Sequence, residues 1–290
     1  METRLSFKDR TILIGPEHPF IVIGERINPT RRKKLAASMK EGDFSLVLEE
    51  ARLQAQAGAG VLDINAGIPD ADEPALLRGA AQAVMEAVNL PLCFDSANPK
   101  ALAAALEVYP GKALINSTTA ETKMMDTVLP LARQFHAAVI GVITDDKGVP
   151  PTPQDRLKAA EKLIKRAGDY GVPPEDIIID PLALTVSADH NAARVTLDSI
   201  RLIQQELGAN MNLGASNVSF GLPDRKIVNV AYLALAISRG LTTAITDPTV
   251  PEIQNTLLAC DLLMGHDEYS IRWIKAFRAR EKAKVTEAVQ

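Results

Sequence analysis

Short apolar runs in this chain repeatedly end in a single carboxylate or carboxamide side chain. Residues 92–118 illustrate the pattern, because two apolar runs end there in Asp95 and Asn116 with one helix-length segment between them. A buried parallel strand whose C-terminal end faces a ligand has this appearance. The residues of this kind at predicted strand ends are Glu25, Asn28, Asp63, Asn65, Asp95, Asn116, Asp180, Asn217 and Asp247.

Two kinds of chemistry suit such a set of side chains, and the residue types alone do not favour one over the other. Hard cations such as Mg²⁺ accept carboxylate and amide oxygens. Alternatively, an ionised carboxylate matches an amino group beside a ring N–H, and Asn both donates and accepts, as a 2-amino-4-oxo pterin requires. Catalytic zinc is disfavoured, because no histidine lies at a strand end with the spacing of a metal pair. The four histidines are His18, His136, His190 and His266.

The elements that must position these residues are strands alternating with helices. No Gly-rich dinucleotide fingerprint or Walker loop follows any strand, which disfavours a doubly wound sheet. We therefore predict an α/β fold, a single (β/α)8 TIM barrel, in which the C-terminal strand ends surround one mouth. The predicted strands are FIVIGERI, VLDINAG, PLCFDS, LINST, AAVIGVIT, IIIDP, MNLGASNVSFG and TTAITDP, at 20–27, 61–67, 91–96, 114–118, 137–144, 177–181, 211–221 and 242–248.

Length and composition agree with one large domain. The 290 residues are 47% hydrophobic and 23% charged, with no segment that reads as a linker. Residues 1–290 are predicted to form one barrel domain, with 1–19 as a short N-terminal cap containing a hairpin and 281–290 as a C-terminal tail. A helix over 152–170 is predicted to bury one stripe, formed by Leu157, Ala160, Ile164 and Ala167.

Charge, hydropathy and cysteine usage disfavour several kinds of partner. The net charge is -4 and aromatic residues make up 4%, without a basic stripe, so nucleic acid is not an expected partner. No apolar stretch approaches the length of a membrane span or a signal peptide. Cys93 and Cys260 read as small apolar core residues, which is typical of a reducing cytoplasm.

Three segments bear on contacts outside the barrel. The predicted helix 224–239 contains IVNVAYLALAI and is apolar almost all round, so we expect a homodimer. The basic cluster at 31–34 favours a solvated face over a site for an anion or a glutamate tail. The basic segment IRWIKAFRAREKAK at 271–284 favours a solvated helix over a contact with an acidic partner.

Seven motifs then decide between the two chemistries. In chain order they are GERIN (24–28), DINAG (63–67), CFDS (93–96), INST (115–118), DP (180–181), LGASNVSFGLPDR (213–225) and TDP (246–248). Each is weak alone, but their order at strand ends resembles the pterin-binding barrels, and within them the methyltetrahydrofolate:corrinoid protein methyltransferases. The resemblance spans about residues 20–280.

This resemblance implies a role for each matching residue. Asp95, Asn116 and Asp180 match residues that hydrogen-bond the pterin edge, and Asn217 matches the active-site Asn near the methyl-bearing ring nitrogen. Asp63 and Asn65, which lie two apart and so face the same way, match the strand lining the pocket floor. Gly214 and Arg225 are further candidates beside the substrate. Glu25 and Asn28 are expected to be structural, with Glu25 paired to Arg26.

The resemblance also implies partners and a reaction. The reaction would move a methyl group between the ring nitrogen of tetrahydrofolate and the cobalt of a corrinoid, in a direction that the sequence does not decide. The substrate would be tetrahydrofolate or methyltetrahydrofolate, the corrinoid would come with a partner protein, and no metal would be bound directly. The sibling activity on this fold is dihydropteroate synthase. This chain carries Ser-Asn-Val at 216–218 and Thr-Asp-Pro at 246–248, where that family has cations for a diphosphate-bearing substrate. A metal-dependent barrel lyase and a non-catalytic folate-binding module are also compatible with the sequence.

Overall fold

A computed structural model of the protein describes residues 1–289, with side chains described as far as residue 282. The strands are β1 Thr3–Phe7, β2 Arg10–Ile14, β3 Ile21–Ile27, β4 Val61–Asn65, β5 Leu92–Asp95, β6 Leu114–Thr119, β7 Ala138–Val142, β8 Ile177–Asp180, β9 Asn210–Met211 and β10 Thr243–Thr246. The helices are α1 Lys33–Lys40, α2 Ser45–Gln56, α3 Glu73–Ala87, α4 Pro99–Leu106, α5 Thr122–Phe135, α6 Pro153–Asp169, α7 Ala192–Leu207, α8 Arg225–Ile237, α9 Pro251–Leu263 and α10 Ile271–Val289. Short 3₁₀ helices span Pro174–Asp176, Ala215–Ser219 and Glu268–Ser270.

Strands β3 to β10 form one parallel sheet that closes on itself. Its order is β10, β3, β4, β5, β6, β7, β8, β9. Hydrogen bonds join the two ends: the Thr242 N–H donates to the Met211 carbonyl at 3.3 Å, and the Ile245 N–H donates to the Leu213 carbonyl at 2.9 Å. The predicted (β/α)8 barrel is confirmed.

Alternation along each strand divides the barrel wall into two faces. On β4, Leu62 and Ile64 belong to the core between sheet and helices, while Val61 belongs to the core inside the barrel. Asp63 and Asn65 share the inward face with Val61, because side chains two apart on a strand point the same way. The interior is therefore apolar near the start of the strands and polar where they end.

The N-terminal hairpin closes the bottom of the barrel, which confirms the predicted cap. Strands β1 and β2 pair antiparallel, and their fully buried Leu5 and Ile14 join the apolar cluster inside the barrel. Asn210, at the start of β9, holds the hairpin by donating to the Ile14 carbonyl at 2.8 Å and to Thr3 Oγ1 at 2.9 Å. This end is sealed, so a ligand reaches the interior from the other end.

Two sequence predictions about local structure are wrong. Strand β9 covers only Asn210–Met211, and the predicted continuation through Asn217 folds as the 3₁₀ helix Ala215–Ser219. The buried stripe of α6 contains Arg156, Ala159, Ala160, Leu163 and Ala167, whereas Leu157 and Ile164 are half-buried. A pattern that keeps every charged residue outside cannot place Arg156 in the stripe, so the predicted stripe is rotated from the real one.

The outer surface bears on the remaining predictions. Helix α8 leaves Ile227 64% and Leu235 52% exposed, so its apolar outer side lies in solvent in the single chain. The predicted tail at 281–290 falls on the last turns of α10 and on residue 290, which lies outside the described residues. Over residues 1–289, no helix is long and apolar enough to cross a membrane.

The seal that the N-terminal hairpin forms at the bottom of the barrel is tested by Leu5→Ala. Removing a fully buried leucine from a closed core leaves a cavity, so we expect a loss of about 3–5 kcal/mol in the free energy of unfolding. Urea denaturation measures it. Thr11→Ala on the exposed side of the same hairpin is the matched control, expected within about 0.5 kcal/mol of wild type. Equal stability of the two variants would mean that the hairpin does not seal the barrel.

Candidate active site

The predicted site residues of three neighbouring strands lie side by side at the open end of the barrel. The register pairs Asn65 with Asp95, and Asp95 with Asn116. Asp63 lies one step deeper on the same inward face as Asn65. Their position follows from parallel pairing, which brings the C-terminal ends of successive strands to one edge.

Each carboxylate in this layer receives a hydrogen bond from an asparagine. Asn65 Nδ2 donates to Asp95 Oδ2 at 3.0 Å, and Asn116 Nδ2 donates to Asp63 Oδ1 at 3.1 Å. The bonds link β4 to β5 and β4 to β6 across the interior of the barrel. Because each amide holds one carboxylate oxygen in a fixed place, the four side chains form a pre-organised polar floor.

Burial raises the pKa of both acids in the floor. Asp63 is only 2% exposed, and burial together with the nearby Asp95 charge holds its pKa well above the usual range. The pKa of Asp95 is also raised by burial, against the hydrogen bond from Asn65. Two carboxylates with these shifts are poor at carrying two full charges, so the floor favours a ligand that donates hydrogen bonds.

Asp180 occupies the end of β8 on the other side of the mouth. Its Oδ1 accepts the Leu182 N–H at 2.8 Å, and its Oδ2 accepts from Asn212 Nδ2 at 2.7 Å. Burial raises its pKa to about 6, although these bonds and the backbone N–H of Gly214 oppose the shift. Asp180 is therefore a turn residue and a buried acid at once.

Arg156 is a functional candidate that the sequence pattern does not reveal. It is 2% exposed, and its guanidinium donates to the Pro150 carbonyl at 3.1 Å, the Pro181 carbonyl at 2.8 Å and Thr196 Oγ1 at 3.0 Å. It thus fixes the loops after β7 and β8, and its charge lowers the pKa of Asp180. An arginine on an amphipathic helix normally faces solvent, so no sequence signal marked it.

Asn217 lies outside the floor, in a cavity that none of the four floor residues lines. It is on the 3₁₀ helix after β9 and its side chain is exposed. Within the described residues the Asn217 amide makes no side-chain hydrogen bond. Asn217 lines a cavity of 480 Å³ together with Glu25, Phe220, Arg225 and Asp247.

Glu25 does not pair with Arg26, so that prediction is wrong. Successive residues of a strand point to opposite faces, and Arg26 turns outward to Glu50 at 3.0 Å and to Asp247 at 3.2 Å. Glu25 instead accepts a long 3.5 Å hydrogen bond from Ser216 Oγ. Burial and the Asp247 charge raise the pKa of Glu25 to about 7, so it holds a proton part of the time at neutral pH.

The remaining candidates surround the same mouth. Arg225 donates to the Ser216 carbonyl at 2.7 Å and to Ser219 Oγ at 3.0 Å, which fixes the 3₁₀ helix that carries Asn217. A Cβ on Gly214 would meet Asn217 Nδ2 at 3.1 Å, so glycine leaves that amide room. Asn28 accepts the Thr30 N–H with its Oδ1 at 2.9 Å around Pro29, and it also lines the cavity of Asn217.

Among the described residues, no group of three or more His, Cys, Asp or Glu side chains is arranged to hold a metal ion.

Asn212 is a second site residue that the sequence analysis does not identify. It is fully buried beside Asp180, and its place two residues before Gly214 on an inward face could have marked it. Its Oδ1 has no hydrogen-bond partner in the part of the chain whose side chains are described.

A barrel closed at one end, with desolvated aspartates and asparagines at the other, suits an enzyme that binds a heterocycle rich in hydrogen-bond donors. Sequence comparison identifies the family. Residues 24–247 match the pterin binding enzymes, and the chain belongs to that family. The predicted family resemblance is confirmed.

Individual relatives agree with this assignment. The chain is 30% identical over 266 residues to the methylcorrinoid:tetrahydrofolate methyltransferase of Eubacterium limosum, covering 89% of this chain and 96% of the relative. It is 30% identical over 263 residues to methionine synthase of Mycobacterium tuberculosis, covering 84% of this chain but 22% of that larger protein. A Xanthomonas albilineans dihydropteroate synthase with 4-aminobenzoic acid has the same fold, with a TM-score of 0.67, 18% identity and coverage of 90% and 98%.

The clamp formed by Arg156 is tested by Arg156→Gln. Three acceptors lose a charged donor, so we expect a loss of about 1–3 kcal/mol in the free energy of unfolding. Removing the positive charge should also move the pKa of Asp180 above its value of about 6. Urea denaturation and ¹³C NMR titration of the aspartate carboxyl carbons measure the two effects.

Two further variants separate charge from hydrogen bonding. Arg156→Lys keeps the charge and should leave the pKa of Asp180 near its original value while still losing stability. Lys158→Gln removes an exposed cation of the same helix and should change neither. An Arg156→Gln protein with unchanged stability and an unchanged Asp180 titration would contradict the assigned role.

Proposed function

We propose that this chain moves a methyl group between the ring nitrogen of tetrahydrofolate and the cobalt of a corrinoid carried by a partner protein. Membership of the pterin binding enzymes supports it, as do the names of the Eubacterium limosum and Mycobacterium tuberculosis relatives. The observation that carries the proposal is the layout of the open end of the barrel, where a buried acid–amide floor lies at the strand ends and Asn217 lines a cavity with Glu25. Within the described residues the Asn217 amide makes no side-chain hydrogen bond.

The floor, together with Asp180 on the other side of the mouth, supplies acceptors and donors for the pterin edge. Asp180 and Asp95, when ionised, each accept from an N–H or amino group of the 2-amino-4-oxo ring, and Asn116 adds a neutral donor and acceptor. The unpartnered Oδ1 of Asn212 beside Asp180 offers one more buried acceptor among the described residues. Asp63 and Asn65 hold this set in place beneath the ring.

Methyl transfer from a tertiary amine needs a better leaving group. The C–N bond breaks as the carbon–cobalt bond forms with an electron pair supplied by the reduced corrinoid substrate. The C–N electron pair stays on the folate nitrogen, which must gain a proton or a strong hydrogen bond. Asn217 donates to this nitrogen in our proposal. Glu25 lines the same cavity with a pKa near 7 and is the carboxyl group placed to supply the proton.

The proposal uses no covalent intermediate with the protein, so no nucleophile is required in the mouth. The same contacts serve either direction, because a pocket that stabilises the transition state stabilises it from both sides. The Eubacterium limosum relative is named for transfer from a methylcorrinoid to tetrahydrofolate. In the enzyme nomenclature the proposed activity is a methyltetrahydrofolate:corrinoid protein Co-methyltransferase, in class EC 2.1.1.

A dihydropteroate synthase reaction is less well supported. The structural relatives with that activity are under 25% identical and share the fold. A diphosphate-bearing substrate needs cations after strands β9 and β10, where this chain has Ser-Asn-Val at 216–218 and Thr-Asp-Pro at 246–248. The neighbouring Arg26 is already paired with Glu50 and Asp247. The acids Glu25 and Asp247 add negative charge there.

Assembly and setting belong to the same proposal. We propose one domain over residues 1–290, no directly bound metal and a homodimer that covers the exposed side of α8, where Ile227 and Leu235 lie. Buried free cysteines at 93 and 260 support a reducing cytoplasm.

A spectroscopic assay tests the reaction. The protein is incubated with methyltetrahydrofolate and reduced corrinoid, and separately with methylcorrinoid and tetrahydrofolate, while the cobalt absorption is followed. We expect methylation or demethylation of cobalt in at least one direction, in protein shown free of metal by elemental analysis. Tight folate binding without any change at cobalt would reduce the chain to a binding module, and activity dependent on a divalent cation would favour a lyase.

Asn217→Ala tests the amide at the rim. Loss of a hydrogen bond that strengthens in the transition state should slow single-turnover methyl transfer about 100-fold, with a smaller effect on folate affinity. Stopped-flow absorption at cobalt measures the rate. Asn89→Ala, an exposed asparagine at the closed end of the barrel, is the matched control. A transfer rate equal to that of wild type would remove Asn217 from the mechanism.

Asp180 gives a pH-dependent prediction. The ionised form accepts the pterin donors, so affinity for both methylated and unmethylated folate should be full above pH 6 and fall about tenfold per pH unit below it. Asp180→Ala should weaken both complexes and remove this share of the pH dependence. Fluorescence titration from pH 5 to pH 8 measures the two profiles, and parallel profiles for variant and wild type would show that Asp180 does not touch the ring.

A further inference from the structure

An aromatic ring at the rim of the mouth lies close to two cations. Phe220 is 42% exposed, and the guanidinium carbons of Arg225 and Arg31 lie 4.6 Å and 6.0 Å from its ring centroid. Two like charges beside one small ring repel each other. The arrangement is therefore more favourable when an anion lies with them.

Arg225 in the cavity wall and Arg31 beside Phe220 differ from Arg26 and Arg32 of the same wall. Arg26 pairs with Glu50 and Asp247, and Arg32 pairs with Glu50. In the part of the chain with described side chains, neither Arg31 nor Arg225 forms an ion pair with a carboxylate. Their charge is thus available to a ligand.

The position of Phe220 is fixed by the loop after β8. Thr185 Oγ1 and Ser187 Oγ each donate to the Phe220 carbonyl at 2.7 Å. A Cβ on Gly221, which has φ +79°, would lie 3.2 Å from Ser187 Oγ, so the two loops are in close contact. The backbone of Phe220 is therefore held at the rim by contacts between two loops.

The chemistry of this rim fits the distal part of a folate. Beyond its pterin, tetrahydrofolate carries an aminobenzoyl ring and then one or more glutamates, and each added glutamate adds a carboxylate. We propose that Phe220 contacts the aminobenzoyl ring and that Arg31, with Arg225, binds the glutamate carboxylates, so that the site prefers folates with several glutamates. This inference rests on the proposed function and names the form of its substrate.

The location supports a tail site. Phe220 and Arg225 line the same cavity as Asn217, and Arg31 reaches Phe220 from the loop before α1. Exposed Lys33 and Lys34 follow Arg31 and extend the positive charge away from the mouth. A chain of carboxylates leaving the pterin would run along this charge.

Arg31 is the residue to change, because Arg225 also fixes the 3₁₀ helix of Asn217. Affinities of wild type, Arg31→Ala and Arg31→Glu are measured for methyltetrahydrofolate with one and with five glutamates, and for a methylated tetrahydropterin without a tail. Alanine keeps the Cβ, so the strain of the φ of +59° at position 31 is the same in variant and wild type. Arg10→Ala, an exposed arginine of the N-terminal cap, removes equal charge at the closed end.

In wild type and Arg10→Ala we expect the pentaglutamate to bind about fivefold more tightly than the monoglutamate, with the advantage shrinking as salt is added. Arg31→Ala should reduce this ratio about threefold and Arg31→Glu should abolish it. An unchanged ratio in both variants overturns the proposal, as does a slower transfer to the corrinoid protein at saturating folate with the ratio intact, which would assign Arg31 to that partner. Failure of wild type to bind the tail-less pterin would instead refute the proposed function.

Discussion

Removal of water from the carboxylates at the open end of the barrel is the constraint on which the rest of the structure depends. Burial raises the pKa of both Asp63 and Asp95, and the charge of Asp95 lies near enough to raise the pKa of Asp63 further. Asn116 and Asn65 offset part of that cost with one hydrogen bond each. The apolar core beneath the floor, sealed by the N-terminal hairpin, keeps water from reaching the acids from below.

The same constraint makes the mouth selective. A buried acid that lacks water gains more from a ligand donor than an exposed one does, because the hydrogen bond forms in a medium of low dielectric constant. Asp180 illustrates the balance. Asn212, Leu182 and Gly214 each hydrogen-bond it and Arg156 acts on it through charge, yet burial still raises its pKa to about 6. The acid stays ionised at neutral pH without being fully satisfied.

Much of the fold follows from the sequence, since a polar residue at the end of an apolar run marks every barrel strand except β7 and β9. The strand ends at Asp63, Asp95, Asn116 and Asp180 were predicted because period-two alternation and parallel pairing suffice to place them. The sequence places Asn217 on a strand, but the strand ends six residues earlier and Asn217 lies on a 3₁₀ helix. The apolar residues around Asn217 are compatible with either structure. Arg156 could not be predicted, because its partners besides Thr196 are backbone carbonyls, whose positions the sequence does not indicate.

The division between a buried floor and an exposed rim follows from what each must contact. A heterocycle is recognised best where water is excluded, so the partners that we propose for it lie on the strands, which hold side chains rigidly. In the proposed reaction the methyl group passes to a corrinoid on another protein and has to be reached from outside, so an amide that acts on its nitrogen cannot be buried at strand depth. The 3₁₀ helix raises Asn217 out of the barrel wall while Arg225 ties that helix down. Rigidity below and access above are thereby supplied by different elements of one chain.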